Sequence, residues 1–282
     1  MVSIITDSSC DLPKEVLKAY NIQVVPLKII IDGVEYVELQ DITAKEFGEK
    51  MTASGTLPKT SQPSPERFRD AFESALEKKS EKDAPEILCL TISSQLSGTY
   101  QSACLGKDLV KDNGNITVFD TLGGSIGHGL QVVKAAEMAA TGVSLEEIID
   151  ALERHREEMN IFILLDTLEN IVKGGRLGRV QGAVAGMLNI KILLEGVEGR
   201  VELLEKRRGR KKITERLFEI VDDRRGDFSQ KVFGITHVNN EKDALVLKEE
   251  IIRRFEPQDV IIYEMGGTMG TYAGEGGMII SF

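Results

Sequence analysis

Hydrophobic positions along the chain follow two periods. Apolar, β-branched runs at residues 4–6, 23–31, 87–92 and 116–119 read as strands, and most of the segments between them repeat apolar residues at helical spacing. Helix starts are marked. Ser64 before Pro65 is an N-cap with proline in the first turn, and Phe68, Phe72, Ala75 and Leu76 then share one face. Ser144 with Glu147 forms a capping box ahead of Ile148, Ile149 and Leu152. A further helix is expected near residues 12–20, with Asp7 able to cap it.

The second half begins with a strand at 161–165, a glycine turn at Gly174-Gly175 and a small-residue stretch over 182–186. A hairpin of 192–194 with 201–204, turned through Glu198-Gly199-Arg200, comes next. Helical spacing recurs in Ile213, Leu217, Ile220 and Val221, and again in Leu247, Ile251 and Phe255 behind a capping Asn240. Strands at 232–236, 260–263 and 278–282 complete the pattern. Such alternation predicts an α/β protein with a mainly parallel first sheet and some antiparallel pairing in the second half. The length of 282 residues suits two domains, divided here as 1–158 and 159–282, and a cleft between them is the default ligand site.

Composition narrows the function. A net charge of −10 and a pI near 5.0 argue against nucleic acid as partner, because phosphate binding needs surplus Lys and Arg. The absence of Trp and an aromatic content of 5% disfavour base-stacking or sugar-stacking platforms. Three cysteines cannot all pair, the N-terminus lacks a basic signal-peptide region, and no run is long enough to span a membrane. These features predict a cytoplasmic protein without stable membrane insertion.

Two hydroxyl-rich segments carry the candidate chemistry. One, Lys59-Thr60-Ser61-Gln62-Pro63-Ser64, lies before a helix; the other, Ser93-Ser94-Gln95-Leu96-Ser97-Gly98-Thr99, joins a buried strand to a helix beginning near Gly98. Helix N-termini and hydroxyl donors stabilise carboxylates and phosphates, and open α/β sheets bind ligands at the C-terminal ends of their strands. Capping and turn formation are the commoner roles of such residues taken singly. Asp7 and Ser8, after the first strand, admit the same two readings.

Conventional catalytic signatures such as a P-loop, H-E-x-x-H and C-x-x-C are missing. His128, His155 and His237 show no metal-ligand spacing, and His155 is expected to be solvent-exposed in a charged helix. The glycine-rich run 266–277 precedes a strand, so it is expected to be a tight loop or a place of close approach to a ligand. No cofactor is implied and a self-sufficient enzyme is not expected. The alternative is a stand-alone phosphotransferase or hydrolase using the hydroxyl loops for a phosphate. The basic cluster at 206–212 reads either as a solvated loop and helix start or as a docking surface for an acidic partner.

Taken together, Thr6-Asp7-Ser8, K-T-S-Q-P-S at 59–64, S-S-x-L-S-G-T-Y at 93–100 and K-G-G-R at 173–176 resemble the DegV family, in order and spacing, over essentially the whole chain. The resemblance implies a two-domain α/β fold: an N-terminal Rossmann-like, mainly parallel sheet with helices on both faces, and a C-terminal domain with a mixed sheet. It also implies a long-chain fatty acid between the domains, presented by its carboxylate to a separate ATP-dependent fatty acid kinase subunit that makes acyl phosphate. On this reading Thr60 and Ser97 bind the carboxylate, with Ser94 next in line and Ser61 beside them. Asp7, Ser8, Gly98, Arg176 and Gly274 support the site, and Arg207, Arg208 and Arg210 lie in the kinase-docking segment. One position departs from the pattern. Many members carry a histidine in a C-terminal A-H-x-G-x-G element, where this chain has Thr271-Tyr272-Ala273-Gly274-Glu275-Gly276. A phenol donates a hydrogen bond without titrating near neutral pH. Residues 182–190 are the candidate wall for the acyl tail.

Overall fold

A computed structural model describes residues 2–77, 86–111, 113–177, 189–224 and 226–282. The first half runs β1 (Val2–Asp7), α1 (Lys14–Ala19), β2 (Gln23–Val25), β3 (Lys28–Ile31), β4 (Val34–Val37), α2 (Ala44–Ala53), β5 (Lys59–Ser61), α3 (Pro65–Glu77), β6 (Glu86–Thr91), α4 (Thr99–Asp108), β7 (Ile116–Asp120), α5 (Ile126–Ala140) and α6 (Leu145–Glu158). The second runs β8 (Ile161–Leu165), α7 (Glu169–Lys173), β9 (Ile190–Val197), β10 (Arg200–Arg208), α8 (Arg210–Asp223), β11 (Val232–His237), α9 (Glu241–Phe255), β12 (Asp259–Glu264), α10 (Gly267–Ala273) and β13 (Met278–Ser281).

Strands β2, β1, β6 and β7 form an all-parallel sheet in that order. Side-chain alternation sends Ile5, Ile87 and Cys89 to the face covered by Phe68 and Phe72 of α3, and Ile4, Leu88 and Leu90 to the face covered by α5 and α6. Helices therefore cover both faces, as expected. The expected single strand over 23–31 is two strands in different sheets. Pro26 falls between them, and its missing N–H ends the parallel pairing of β2. β3 then pairs antiparallel with β4 and β5, placing Ile29 opposite both Tyr36 and Thr60. This three-stranded sheet had a sequence signal: Asp32-Gly33, both at positive φ (48° and 83°), is the two-residue turn that twisted hairpins favour.

The second sheet has the order β10-β9-β8-β13-β11-β12 and is antiparallel except between β11 and β12. Its strands divide between two cores. Phe162, Leu164, Leu193 and Ile280 pack with α8 and α9, whereas Ile163, Leu165, Leu194 and Ile279 join the core shared with the first half. The hairpin is longer than expected and turns on Glu198 and Gly199 alone, at φ 48° and 78°. α9 starts after Asn240 without a side-chain cap; that amide donates instead to Asp243 and to the Gly276 carbonyl.

Three further expectations are corrected. The helix expected near 12–20 is α1, and Asp7 instead caps a 3-10 turn over Ser8–Cys10. The glycine-rich run 266–277 contains α10. Its glycines give the helix one face without side chains, so Ile29 and the Phe47 ring lie directly against Gly267, and Phe47 against Gly270. His155 is half-buried, and burial together with Lys134 and Lys231 pushes its pKa down to about 4. Among the described residues no helix is long and apolar enough to cross a membrane. Within the expected tail wall, 182–188 lie outside the described residues, and Ile190 opens β9 half-buried.

Candidate functional site

Both hydroxyl segments reach one cavity, of about 260 Å³. Its polar mouth is formed by Thr60, Ser61, Gln62, Ser97, Arg176 and Tyr272. Deeper, the wall is apolar: Leu27, Ile92 and Met269 on one side, Ile163, Leu165 and Ile279 from the inward face of the mixed sheet on the other. The cavity therefore combines a hydrogen-bonding entrance with a hydrocarbon interior.

Thr60 sits on β5, not in the loop the sequence suggested, so its position is fixed by the ladder to Ile29. Its Oγ1 lies 2.7 Å from the Tyr272 hydroxyl. The Tyr272 ring rests on the backbone of Gly174, where any side chain would collide with it, and the Arg176 guanidinium stacks 4.9 Å above the same ring. Arg176 is held by the carbonyls of Gly174 (2.6 Å) and Leu96 (3.3 Å). The K-G-G-R turn thus fixes a phenol and a guanidinium beside Thr60. Gly274 ends α10 at φ 72°, next to Asn170, which in turn donates to the Thr271 carbonyl.

The three serines of the second loop have different surroundings. Ser93 is buried and donates to the Gly199 carbonyl at 2.7 Å, docking the hairpin turn onto the loop. Ser94 is exposed and off the cavity, its N–H facing the Asp120 carboxylate. Ser97 lines the cavity and pairs with Thr99 Oγ1 at 2.9 Å. Sequence reading missed the residue that joins the two loops. Gln62 packs directly on Gly98, where a Cβ would strike its amide oxygen, and donates to Ser102 at 2.9 Å.

Asp7 and Ser8 stand behind the wall. Asp7, fully buried, accepts from the N–H groups of Ser9 (3.0 Å) and Ile92 (2.8 Å), which aims the second loop. Ser8 donates to Glu38 at 2.6 Å. Glu38, also missed, accepts from both the N–H (2.9 Å) and the hydroxyl (2.7 Å) of Thr268, while Asp11 accepts from Gly266 N–H (2.9 Å) and the Ser125 hydroxyl. Burial pushes both carboxyls above their ordinary range. These two acids hold the start of α10, which carries Met269, Tyr272 and Ala273 into the cavity.

A G-x-S-x-G spacing at Gly123-Gly124-Ser125-Ile126-Gly127 also escaped the sequence reading. Ser125 has the strained backbone of a nucleophile elbow, φ 53° and ψ −138°. Its hydroxyl, however, is fully buried between Asp11 and Thr236, and His128 one turn on is bonded to Thr6. Enclosed in this way, it has no access to substrate. Among the described residues no group of three His, Cys, Asp or Glu side chains could hold a metal ion.

In the basic cluster, Arg208 is exposed at the end of β10 and Arg207 pairs with Glu205 on the surface. Arg210 turns inward. Its side chain, 21% exposed, pairs with Asp166 at 2.8 Å and Asp243 at 3.3 Å and donates to the Gly276 carbonyl.

A doubly covered parallel sheet joined to a mixed sheet, with an apolar cavity opening at hydroxyl-rich segments, defines a two-sheet α/β architecture. The family model described as "Uncharacterised protein, DegV family" matches residues 1–282, and the chain belongs to that family. A DegV domain-containing protein of Caldanaerobacter subterraneus is 34% identical over 97% of this chain and 95% of its own length. Among solved structures, a fatty-acid-binding DegV family protein from Thermus thermophilus superposes with a TM-score of 0.91 at 31% identity, covering 100% of this chain and 99% of that one. The fatty acid kinase B3 protein of Streptococcus pneumoniae, loaded with linoleic acid, gives 0.85 at 30% identity, with coverage of 100% and 99%.

Proposed function

We propose that this protein is a cytoplasmic carrier that binds a long-chain fatty acid between its two domains, residues 1–158 and 159–282. It presents the carboxylate to a separate fatty acid kinase subunit for conversion to acyl phosphate. One observation carries the reading: the Thr60–Tyr272 pair, flanked by Arg176 and Ser97, closes the polar mouth of an otherwise hydrocarbon-lined cavity. Burying about a dozen methylenes at ~0.8 kcal/mol each gives roughly 10 kcal/mol gross, before ordering and association costs. The tail supplies affinity; hydroxyls then orient the head group without a fully buried counter-charge, which leaves the carboxylate reactive. Binding by the solved relatives named above supports the ligand class, and the fatty acid kinase relative supports the kinase partner. The enclosure of Ser125 weighs against hydrolysis by the isolated chain.

Native mass spectrometry of the purified protein, followed by lipid extraction, tests the binding step. Finding no co-purifying acyl chain and no uptake of added palmitate or oleate would overturn it. Acyl phosphate formation from the loaded protein with ATP and a fatty acid kinase subunit tests presentation. Arg208→Glu is expected to lower that rate with lipid loading unchanged.

A further inference from the structure

The tip of the β9–β10 hairpin touches both sides of the cavity mouth. On one side Gly199, buried and at φ 78°, offers its carbonyl to the Ser93 hydroxyl at 2.7 Å, and the exposed Arg200 donates to the Gln95 side-chain oxygen at 3.0 Å. On the other side Val201, which lines the cavity, forms a parallel bridge with Leu177, the residue after Arg176. Arg176 closes the circuit by donating to the Leu96 carbonyl at 3.3 Å. The second hydroxyl loop, the K-G-G-R turn and the hairpin tip are therefore held pairwise.

Within this circuit the loop is the dependent member. Arg176 has holds of its own, the Gly174 carbonyl and the Tyr272 ring. No residue from 94 to 98 is buried, so packing contributes little to where the loop sits and its hydrogen bonds decide. Those bonds converge on Ser93, which is fully buried. Its N–H donates to the Gly123 carbonyl at 2.8 Å, its hydroxyl accepts from Gln95 N–H at 3.1 Å while donating to Gly199, and its carbonyl accepts from the N–H groups of Leu96 (3.0 Å) and Ser97 (3.1 Å). Ser97 is thus two hydrogen bonds away from the hairpin tip, both of them made by Ser93. The contact is shaped for glycine: a Cβ at position 199 would lie 2.5 Å from Ser93 Oγ and 3.0 Å from Leu122.

We infer that Ser93 is a positioning residue for the head group: tied to the hairpin tip, it fixes the Ser97 hydroxyl at the mouth, so the second half of the chain sets how well a loop of the first half holds a carboxylate. The inference rests on the carrier reading and extends it. Ser93 does not line the cavity and acts through Ser97. A short hydroxyl side chain adds to affinity only where its backbone is held in the productive place, which is what the hairpin supplies.

A double-mutant cycle, read by calorimetric titration of delipidated protein with oleate, tests the coupling. Ser97→Ala is expected to weaken binding about tenfold, the loss of a hydrogen bond to a charged group, and Ser93→Ala about fivefold. In the Ser97→Ala background Ser93→Ala is expected to cost less than about twofold, where independent effects would multiply to about 50-fold. A general loosening of the fold would instead lower affinity equally in both backgrounds. Amide exchange in the delipidated chains reads the tie itself: the Gln95 and Ser97 N–H groups are expected to exchange at least about tenfold faster in Ser93→Ala. Should Ser93→Ala not fold, Arg200→Met carries the same cycle and exchange measurement from the exposed side of the hairpin. Equal loss in both backgrounds, no loss in the wild-type background, or unchanged exchange would each overturn the inference. Failure of the wild-type chain to take up oleate would overturn the carrier reading, and with it the head-group role of Ser93, even with the exchange result as expected.

Discussion

The Thr60 and Tyr272 hydroxyls bond to each other at 2.7 Å, and for both to donate to one carboxylate that bond must be exchanged for bonds to the ligand. The exchange sets a specific pattern for Thr60→Val and Tyr272→Phe. A neutral hydrogen bond contributes about 1 kcal/mol net and one to a charged group about 2 kcal/mol. Removing either hydroxyl loses one carboxylate bond but also removes the bond that loading had to break, a net loss of about 1 kcal/mol or about fivefold in affinity. Removing both loses two carboxylate bonds and relieves one internal bond, about 3 kcal/mol or about 150-fold. Independent single effects would multiply to only about 30-fold, so the double variant loses about fivefold more affinity than additivity allows. With no Trp in the chain, calorimetric titration of delipidated protein with oleate is the suitable assay. Strict additivity, or no loss in either single variant, would refute a shared carboxylate between these two hydroxyls.

Gly174→Ala places a Cβ into the Tyr272 ring, so fatty acid affinity is expected to fall at least as far as in Tyr272→Phe while thermal stability drops by about 1–3 kcal/mol; retained affinity would show the ring's placement to be irrelevant. Gly266→Ala sets a methyl 2.7 Å from both Asp11 Oδ1 and Glu38 Oε1, two buried carboxylates with no room to retreat, and is expected to cost about 3 kcal/mol in urea unfolding. For His155, with a folded pKa of about 4 against 6.5, both states are neutral above 6.5 and the residue has no effect there. As pH falls the unfolded chain takes the proton first, so stability is lost between 6.5 and 4, by at most about 3 kcal/mol. Asp11 and Glu38, whose folded pKa values are raised, act in the opposite sense but are common to wild type and His155→Gln. Parallel stability curves for the two proteins over that window would exclude the assignment.

The period of the hydrophobic pattern made most strands and helices legible, because a strand buried on both faces or a helix with one apolar stripe leaves a local trace. Elements that depend on distant partners left less. β5 is three residues long, and Lys59-Thr60-Ser61 has no apolar alternation; it is a strand only because β3 offers it an edge. α10 reads as a loop since Gly266, Gly267 and Gly270 have poor helix propensity, and Phe47 and Ile29 recover that cost by packing where side chains would not fit. Of the site, the hydroxyl segments were visible as clusters of one residue type. Gln62, Glu38 and Asp11 were not, since each matters through a partner 40 to 255 positions away.

That long-range pairing holds in place the site residue that departs from the family pattern. Tyr272 lies at the end of α10; the other end of that helix is fixed by Asp11 through Gly266 and by Glu38 through Thr268. Glu38 is fixed in turn by Ser8, at the end of β1. The mouth residue is thus referenced to the parallel sheet by hydrogen bonds and to α7 by the Gly174 contact. A side chain so held needs no preformed charge to be in place for a carboxylate. A histidine at this position would change its charge near neutral pH. Tyr272→His is therefore expected to introduce a dependence of head-group affinity on pH between 6 and 8, with tighter binding on the acid side. An oleate titration that varies as steeply in the parent as in Tyr272→His would show that another titrating group, and not residue 272, governs the head group.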